Sequence, residues 1–431
     1  MTTERTSLEH SRTIPFLGMA KGDEKEPQDT SDLEAPDRLR MLCNLGNHEY
    51  EAGGQKRLDL ELNVLGLDDF FLALVDIHRF ASSQGNIVLL EGPAAGSLVV
   101  HRLGLNPVNP LHHGLLFERF LNPDQTFAPM RQFSISEGGQ EEVVRYARKK
   151  FGWDGTDEAC PWRAYSQSWQ SPTGGASDRA TIDIVVHPSL TVLKRTLAII
   201  HERQGPDVIP SRLPSNDEKT LGLFRRGDTD DIYQFCSSRA QELLRKVEPA
   251  GIDDLAVVSA LSHEVVFENG VVSEYLDQRN GKESSPNRHP RLKEILDETH
   301  GVLLYHEQVM EIVHRIGGLA KRDGMKLIQA MSKKSQKLID EYRDKFVAGA
   351  IENQIETVAA EDIFDNVVQR GQFTLCKANA ISAATIAYQM GYLKTHFTGE
   401  FDTANAERTY AAFNEASMAD LKANHPDVEV A

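Results

Sequence analysis

Hydrophobic positions along the chain fall into short clusters with two different periods. Leu58, Leu62 and Leu65, then Phe70, Phe71, Leu72, Leu74, Val75, Ile77 and Phe80, recur mostly at i, i+3 and i+4. That spacing predicts an amphipathic helix pair broken near Gly66. Leu58, Leu60 and Leu62 also alternate, so a short strand before Gly66 is the competing expectation there. Asn86 to Leu90 is a compact apolar run of strand type, followed at once by Gly92-Pro93-Ala94-Ala95-Gly96-Ser97 and a helix-like stretch over 98–103. Strand, glycine turn, then helix is the layout of a phosphate-cradling loop.

Residues 152–180 are rich in Gly, Ser, Trp and Pro without a period and read as a long loop. Ile182 to Val186 is a β-branched strand ended by His187-Pro188, and 190–200 reads as a helix. Beyond it the chain is mostly helical, with segments expected at 235–247, 291–299, 305–317, 325–350, 359–369 and 381–396. The tail after Ala411 is weakly patterned, and no internal repeat is visible. Residues 1–37 differ from all of this. From Lys21 to Asp37 seven acids stand against two lysines with almost no large apolar side chain, which predicts a disordered acidic arm.

Composition adds limits. A length of 431 residues with 40% hydrophobic residues is enough for two to three globular domains. Four cysteines, Cys43, Cys160, Cys236 and Cys376, lie far apart and never as C-x-x-C, which excludes a disulfide scaffold and a sequence-local zinc site. No apolar run approaches the roughly 18 residues of a membrane span, and the polar N-terminus has no signal-peptide pattern. The expectation is a soluble cytoplasmic protein. A net charge of −17 argues against a surface coated in basic residues, but the charge is unevenly spread. Residues 321–345 carry eight Lys/Arg against four Asp/Glu, and 370–399 carry Arg370, Lys377 and Lys394 with no acid. These segments are either solvated helix faces or one basic surface for phosphates.

Common catalytic patterns fail residue by residue. His306-Glu307 is followed on its helix by His314, not by the i+4 histidine of a zinc protease. His112 and His113 are adjacent and cannot both face one metal from a helix or strand. The loop at Gly92–Ser97 lacks the Lys-Ser/Thr of a P-loop and the third glycine of a dinucleotide fingerprint.

Seven collinear blocks, however, resemble one family. Residues 115–123, LLFERFLNP, are very similar to a block of the bacterial replicative DNA polymerases of the C family, typified by the DNA polymerase III alpha subunit. The similarity continues in DDFFLALVDIHRFA (68–81), EGPAAGSLVVHRLGL (91–105), GDTDDIYQFCSS (227–238), GVLLYHEQVMEIV (301–313), AMSKKSQ (330–336) and AYQMGYLKTHFTGEF (387–401). The resemblance implies an α+β fold: a nucleotidyltransferase-like palm sheet with a helical thumb and large, mostly α-helical fingers. It also implies a core only, without the family's N-terminal phosphoesterase-like part or its C-terminal DNA- and clamp-binding parts.

The chemistry the resemblance implies is two-metal phosphoryl transfer, with aspartates holding two Mg²⁺ ions. The family's first aspartate strand, P-D-x-D-x-D-F, falls on Pro129 to Ile135, so that Met130, Gln132 and Ser134 stand where carboxylates belong. Methionine and glutamine bring no charge, whereas Mg²⁺ prefers hard anionic oxygens. The second aspartate motif leaves Asp183 as the lone survivor. In the glycine loop Glu91 and Pro93 replace the family's arginine and serine around Gly92, with Ser97 retained, and in the fingers Ile328-Gln329 replace two arginines. Lys333, Lys334 and Lys377 persist, and Arg119 reads as a structural partner of a neighbouring residue.

The expected organisation is therefore an acidic arm over 1–37, a thumb/palm-like part over 38–200, a fingers-like part over 201–405 and a tail over 406–431. The expected function is that of a pseudo-polymerase of DNA replication or repair. It would have no metal and no cofactor, Lys333, Lys334 and Lys377 would touch primer–template or single-stranded DNA, and replication or repair proteins are the expected partners. Two rivals stay open. One is a reduced but active polymerase using Mg²⁺, with Asp183 joined by Asp154, Asp157 or Asp178. The other is a protein-binding scaffold without DNA affinity.

Overall fold

The computed structural model describes residues 13–14, 33–44, 53–65, 68–121, 130–152, 163–169, 178–204, 213–282 and 289–424. Most of the expected acidic arm lies outside them, as do Asp154 and Asp157. After the two-residue strand β1 (Thr13–Ile14) come three helices, α1 (Ala35–Asn44), α2 (Gly54–Leu65) and α3 (Asp68–Ser83). On α2, Leu58 and Leu62 are buried whereas Leu60 is 46% exposed, so the helical period and not the alternating one governs this stretch.

Strand β2 (Val88–Glu91) leads through a short 3₁₀ turn (Gly92–Gly96) into α4 (Leu98–Arg102). Then follow β3 (Met130–Ile135), α5 (Gln140–Phe151), β4 (Arg163–Trp169), β5 (Asp178–Val186) and α6 (Pro188–Gln204). The four strands form one mixed sheet in the order β2-β3-β5-β4. β3 and β5 run parallel and the outer pairs antiparallel. β4 and the start of β5 occupy the stretch expected to be a loop. β4 pairs only with β5, and an edge strand needs no apolar run, so RAYSQSW gave little strand signal.

One face of the sheet is apolar. Val88, Leu90, Phe133, Ile135, Ile182 and Ile184 are buried in a core shared with Phe71 and Leu74 of α3 and Val143 and Ala147 of α5. Alternation sends Glu91, Gln132, Ser134 and Asp183 to the opposite face.

The remaining elements among the described residues are helices apart from β6 (Leu213–Pro214), which pairs with β1. Helices α7 (Glu218–Arg226), α8 (Ser238–Val247), α9 (Ile252–Ser262), α10 (Glu264–Glu268) and α11 (Val271–Arg279) precede α12 (Pro290–Leu296), α13 (His306–Arg315), α14 (Lys321–Ser332) and α15 (Gln336–Glu352). The last three are α16 (Thr357–Gly371), α17 (Lys377–His396) and α18 (Thr398–Asn424). α17 is buried on most sides, with Ile381, Ala384, Ala387, Tyr388 and Leu393 inaccessible, and it organises a second core with α6, α7, α8 and α9. No helix among the described residues is long and apolar enough to cross a membrane. A third core joins α12 to α16 through Leu296, Ile312, Leu327, Phe346 and Phe364.

Two helical expectations are corrected. The helix expected over 325–350 is two helices, broken at Lys333-Lys334-Ser335, where Lys334 adopts a left-handed φ of 52°. Neither Gly nor Pro marks this break, so punctuation could not reveal it. The weakly patterned tail is helical as far as Asn424. Few large apolar residues and a mixed surface hid its period.

α15 crosses the end of α13 at a glycine contact. A Cβ on Gly349 would run into the carbonyl oxygen of Gly317, and one on Gly317 into the Phe346 ring. Gly349→Ala gains up to about 1 kcal/mol of helix propensity but must separate two backbones, so we expect a net loss of about 2–3 kcal/mol. The midpoint of denaturant unfolding checks this; an unchanged midpoint would mean the crossing has room.

Candidate functional site

Strand pairing aligns the sequence-predicted residues in one row. Glu91 on β2 stands opposite Gln132 on β3, and Gln132 stands opposite Asp183 on β5. On the outer side, Arg163 of β4 holds the register position opposite Asp183. Paired positions share a face with their Cβ atoms about 5 Å apart. The neutral Gln132 therefore separates the two carboxylates of the row.

Hydrogen bonds fill this row from within. Gln132 Nε2 donates to Glu91 Oε2 at 2.9 Å and to Ser134 Oγ at 3.2 Å. Ser134 is fully buried. Burial pushes the Glu91 carboxyl above the usual carboxylate range, with the Ser134 hydroxyl pulling the other way. His187, at the end of β5, places Nε2 3.7 Å from Glu91 Oε1. Its Nδ1 accepts from the Ser189 amide at 3.3 Å. Burial lowers His187 to about 4, so the imidazole is neutral at pH 7. Tyr233 packs edge-on against it at 4.6 Å, and its hydroxyl is pushed up by burial and by Glu91.

His187 and Tyr233 were not singled out as site residues from sequence. The signals were present: His187 ends the second aspartate strand, and Tyr233 lies in the block over 227–238.

The Ser97 end of the glycine turn is engaged within the chain. Ser97 is buried, caps α4 by accepting from Val100 N, and donates to Glu61 Oε2 at 2.7 Å. Glu61, itself inaccessible, also accepts from Val99 N at 3.0 Å and pairs with Arg57 at 2.5 Å. The N-terminus of α4 is thus satisfied by a carboxylate of the chain. Gly92 takes a φ of 86°, and Pro93 enters the turn directly.

Two Mg²⁺ ions, as the resemblance implies, would require several anionic oxygens converging on ions about 3.5–4 Å apart. The row supplies Asp183 and a Glu91 that already accepts from Gln132, with two uncharged residues between and beside them. These residues do not fit the metal pair. Among the described residues no group of three or more His, Cys, Asp or Glu is placed to hold a metal ion. Asp178 opens β5 at the far end of the strand, opposite Trp169.

The three lysines are not equivalent. Lys333 and Lys334 are exposed at the turn from α14 to α15. Lys377 is 6% exposed, and its ammonium donates to His113 O at 2.6 Å and Glu298 Oε2 at 2.5 Å. Its own amide and that of Ala378 donate to the buried Glu307 at 2.9 and 3.3 Å, so a carboxylate from α13 stabilises the N-terminus of α17. Arg119 donates to His306 Nδ1 at 3.2 Å, so its partner is a residue distant in sequence and not the neighbouring Glu118 that the sequence suggests.

Comparison with known proteins finds matches over two stretches of the chain. Residues 34–167 match the bacterial DNA polymerase III alpha NTPase domain, and residues 189–354 the bacterial DNA polymerase III alpha subunit finger domain. The DNA polymerase III subunit alpha of Halalkalibacterium halodurans is 26% identical over 489 residues, covering 88% of this chain and 44% of that protein. The corresponding subunit of Aquifex aeolicus is 24% identical, covering 84% of this chain and 42% of its own. That of Bacillus subtilis is also 24% identical, covering 79% and 40%. A small mixed sheet followed by a helical region, with these matches over both, places the chain among proteins related to the bacterial DNA polymerase III alpha subunit. The chain belongs to the bacterial DNA polymerase III alpha family and spans less than half the length of these relatives.

Proposed function

We propose that this chain is a polymerase-derived core that no longer transfers nucleotides and that serves DNA replication or repair in the cytoplasm by contacting DNA and replication or repair proteins. Residues 38–200 act as the thumb and nucleotidyltransferase-like palm, and 201–405 as the fingers. The reading rests on the Glu91-Gln132-Asp183 row, in which an amide stands between two carboxylates and is spent on one of them. In this row Asp183 is the lone aspartate left of the catalytic set, Met130, Gln132 and Ser134 replace the others, and no resident metal is required. The loop of Glu91, Gly92, Pro93 and Ser97 binds no nucleotide in this reading, because its polar side chains, Glu91 and Ser97, are already engaged with the chain.

DNA contact falls to Lys333 and Lys334, which have no ion pair among the described residues. Lys377 contributes by holding α17 in place through Glu298. Binding is then weak, independent of sequence and steeply salt-dependent, since each neutralised phosphate adds about 0.9 to the log–log slope. Lys333→Ala/Lys334→Ala is expected to flatten the slope by up to about 2, and Lys377→Ala to leave it unchanged. Gel shifts with primed and single-stranded DNA at several salt concentrations measure this. Primer extension with Mg²⁺, beside an active alpha subunit, tests the loss of catalysis. Extension by this chain would overturn the reading, and an unaltered slope would return the lysines to a solvated face.

A further inference from the structure

An open groove of about 950 Å³ lies between α11, α12 and α16, away from the sheet residues described above. Its α16 wall is a single stripe: Val358, Asp362, Asn366 and Arg370 follow each other at i, i+4, i+8 and i+12, with Ile363 beside them. Among the described residues no helix covers Val358, Asp362 and Asn366, whereas Arg370 pairs with Glu274 of α11. Val358 is 69% exposed, the largest exposure among the large hydrophobic side chains described. Leu292, Leu296 and Ile363 form an apolar floor.

The rim is acidic in a particular way. Glu274 is neutralised by Arg370, and Asp277 is shared with Lys282 at 3.1 Å. Glu356 and Asp362 are exposed and have no ion pair among the described residues. An apolar floor under two uncompensated carboxylates repels a nucleic-acid backbone. It attracts a polypeptide whose apolar side chain can fill the floor while its lysines or arginines meet the rim.

We infer that this groove docks a basic segment of a partner protein, anchored by an apolar side chain over Val358 and Ile363. The inference rests on the reading of the chain as a partner-binding core, and uses a surface distinct from Lys333 and Lys334.

The test is fluorescence anisotropy on the full chain with a labelled synthetic peptide of alternating leucine and lysine. Two control peptides carry serine for leucine or glutamate for lysine. Glu356→Lys/Asp362→Lys alters only exposed side chains and is expected to weaken the leucine–lysine peptide about tenfold, the scale of two reversed rim charges. Val358→Asp and the serine control are expected to weaken it similarly, and Lys333→Ala/Lys334→Ala to leave it unchanged. Equal binding of the serine control, or indifference to both groove variants, would overturn the inference by reducing the effect to diffuse attraction to an acidic protein. Concentration-dependent self-association of the unmodified chain that disappears in the groove variants would also overturn it, since the occupant would then be a second copy. DNA binding lost in the lysine variants with peptide binding intact separates this inference from the DNA reading.

Discussion

Between pH 6.5 and about 4 the folded protein is expected to lose stability steeply. Three histidines are buried and neutral: burial lowers His78 and His187 to about 4 and His306 to about 3, Arg119 adding to the effect at His306. The sign follows from the unfolded chain, where each imidazole titrates near 6.5. Above that pH both states are neutral and nothing is lost. Below it the unfolded state binds a proton that the folded state refuses until its own lower pKa, so stability falls by about 1.4 kcal/mol per pH unit for each histidine. Complete titration of His78 or His187 amounts to about 3 kcal/mol, against a total that is typically 5–15 kcal/mol. Glu91 and Glu307 oppose this, because burial raises both carboxyls and the folded state gains as they protonate. The slope that thermal unfolding reads is therefore the loss at the three imidazoles less the gain at these two carboxyls. Thermal unfolding from pH 8 to 5 reads the slope. His78→Phe, which preserves the edge-on packing on Phe133 at 6.3 Å, is expected to remove about a third of it. A midpoint that stays flat over this range would show that the imidazoles are solvated.

The helices and their faces were legible because burial follows the 3.6-residue period at Leu58, Leu62, Phe71 and Leu74. What escaped was structure without an apolar signature. β4 is a one-sided edge strand written largely in polar residues, and the turn at Lys333-Lys334 bends without Gly or Pro. The proposed site could be read from the sequence as a set of replaced positions, through the collinear blocks, but not as a row. Pairing register sets Glu91 against Gln132 against Asp183, residues 41 and 51 positions apart in sequence, and no local pattern encodes that. Lys377 carries a similar lesson. Its neighbourhood has no acid within 370–399, yet Glu298 from a distant turn meets its ammonium in three dimensions. Sequence charge counting sees the first fact and is blind to the second.

Met130→Asp/Gln132→Asp, which returns two carboxylates to β3, is expected to yield no primer extension. The register explains why the substitution does not simply rebuild a metal site. Asp at position 132 would stand directly between Glu91 and Asp183, placing three carboxylates side by side on one face. Like charges directly opposite each other destabilise a sheet. The change also removes the amide that donates to Glu91 and Ser134. Leaving the buried Ser134 hydroxyl without this donor costs about 1–3 kcal/mol, so the variant is expected to unfold at lower denaturant concentration. Adding Glu91→Gln should recover most of that loss, which separates charge repulsion from a general packing defect. Catalysis would still lack a cation in the fingers. Ile328 is buried in the third core and Gln329 is uncharged, so neither stabilises charge on a transferring phosphoryl group. Losing such a cation costs as much as about 10³–10⁵ in rate in other phosphoryl-transfer enzymes. In the glycine turn the Ser97 hydroxyl is already donated to Glu61, so that side chain does not reach a triphosphate without breaking this bond. Single-turnover primer extension with Mg²⁺ and with Mn²⁺ is the measurement. If the double variant extends a primer, the chain is a polymerase only two residues from working, and the proposal of an abandoned active site fails.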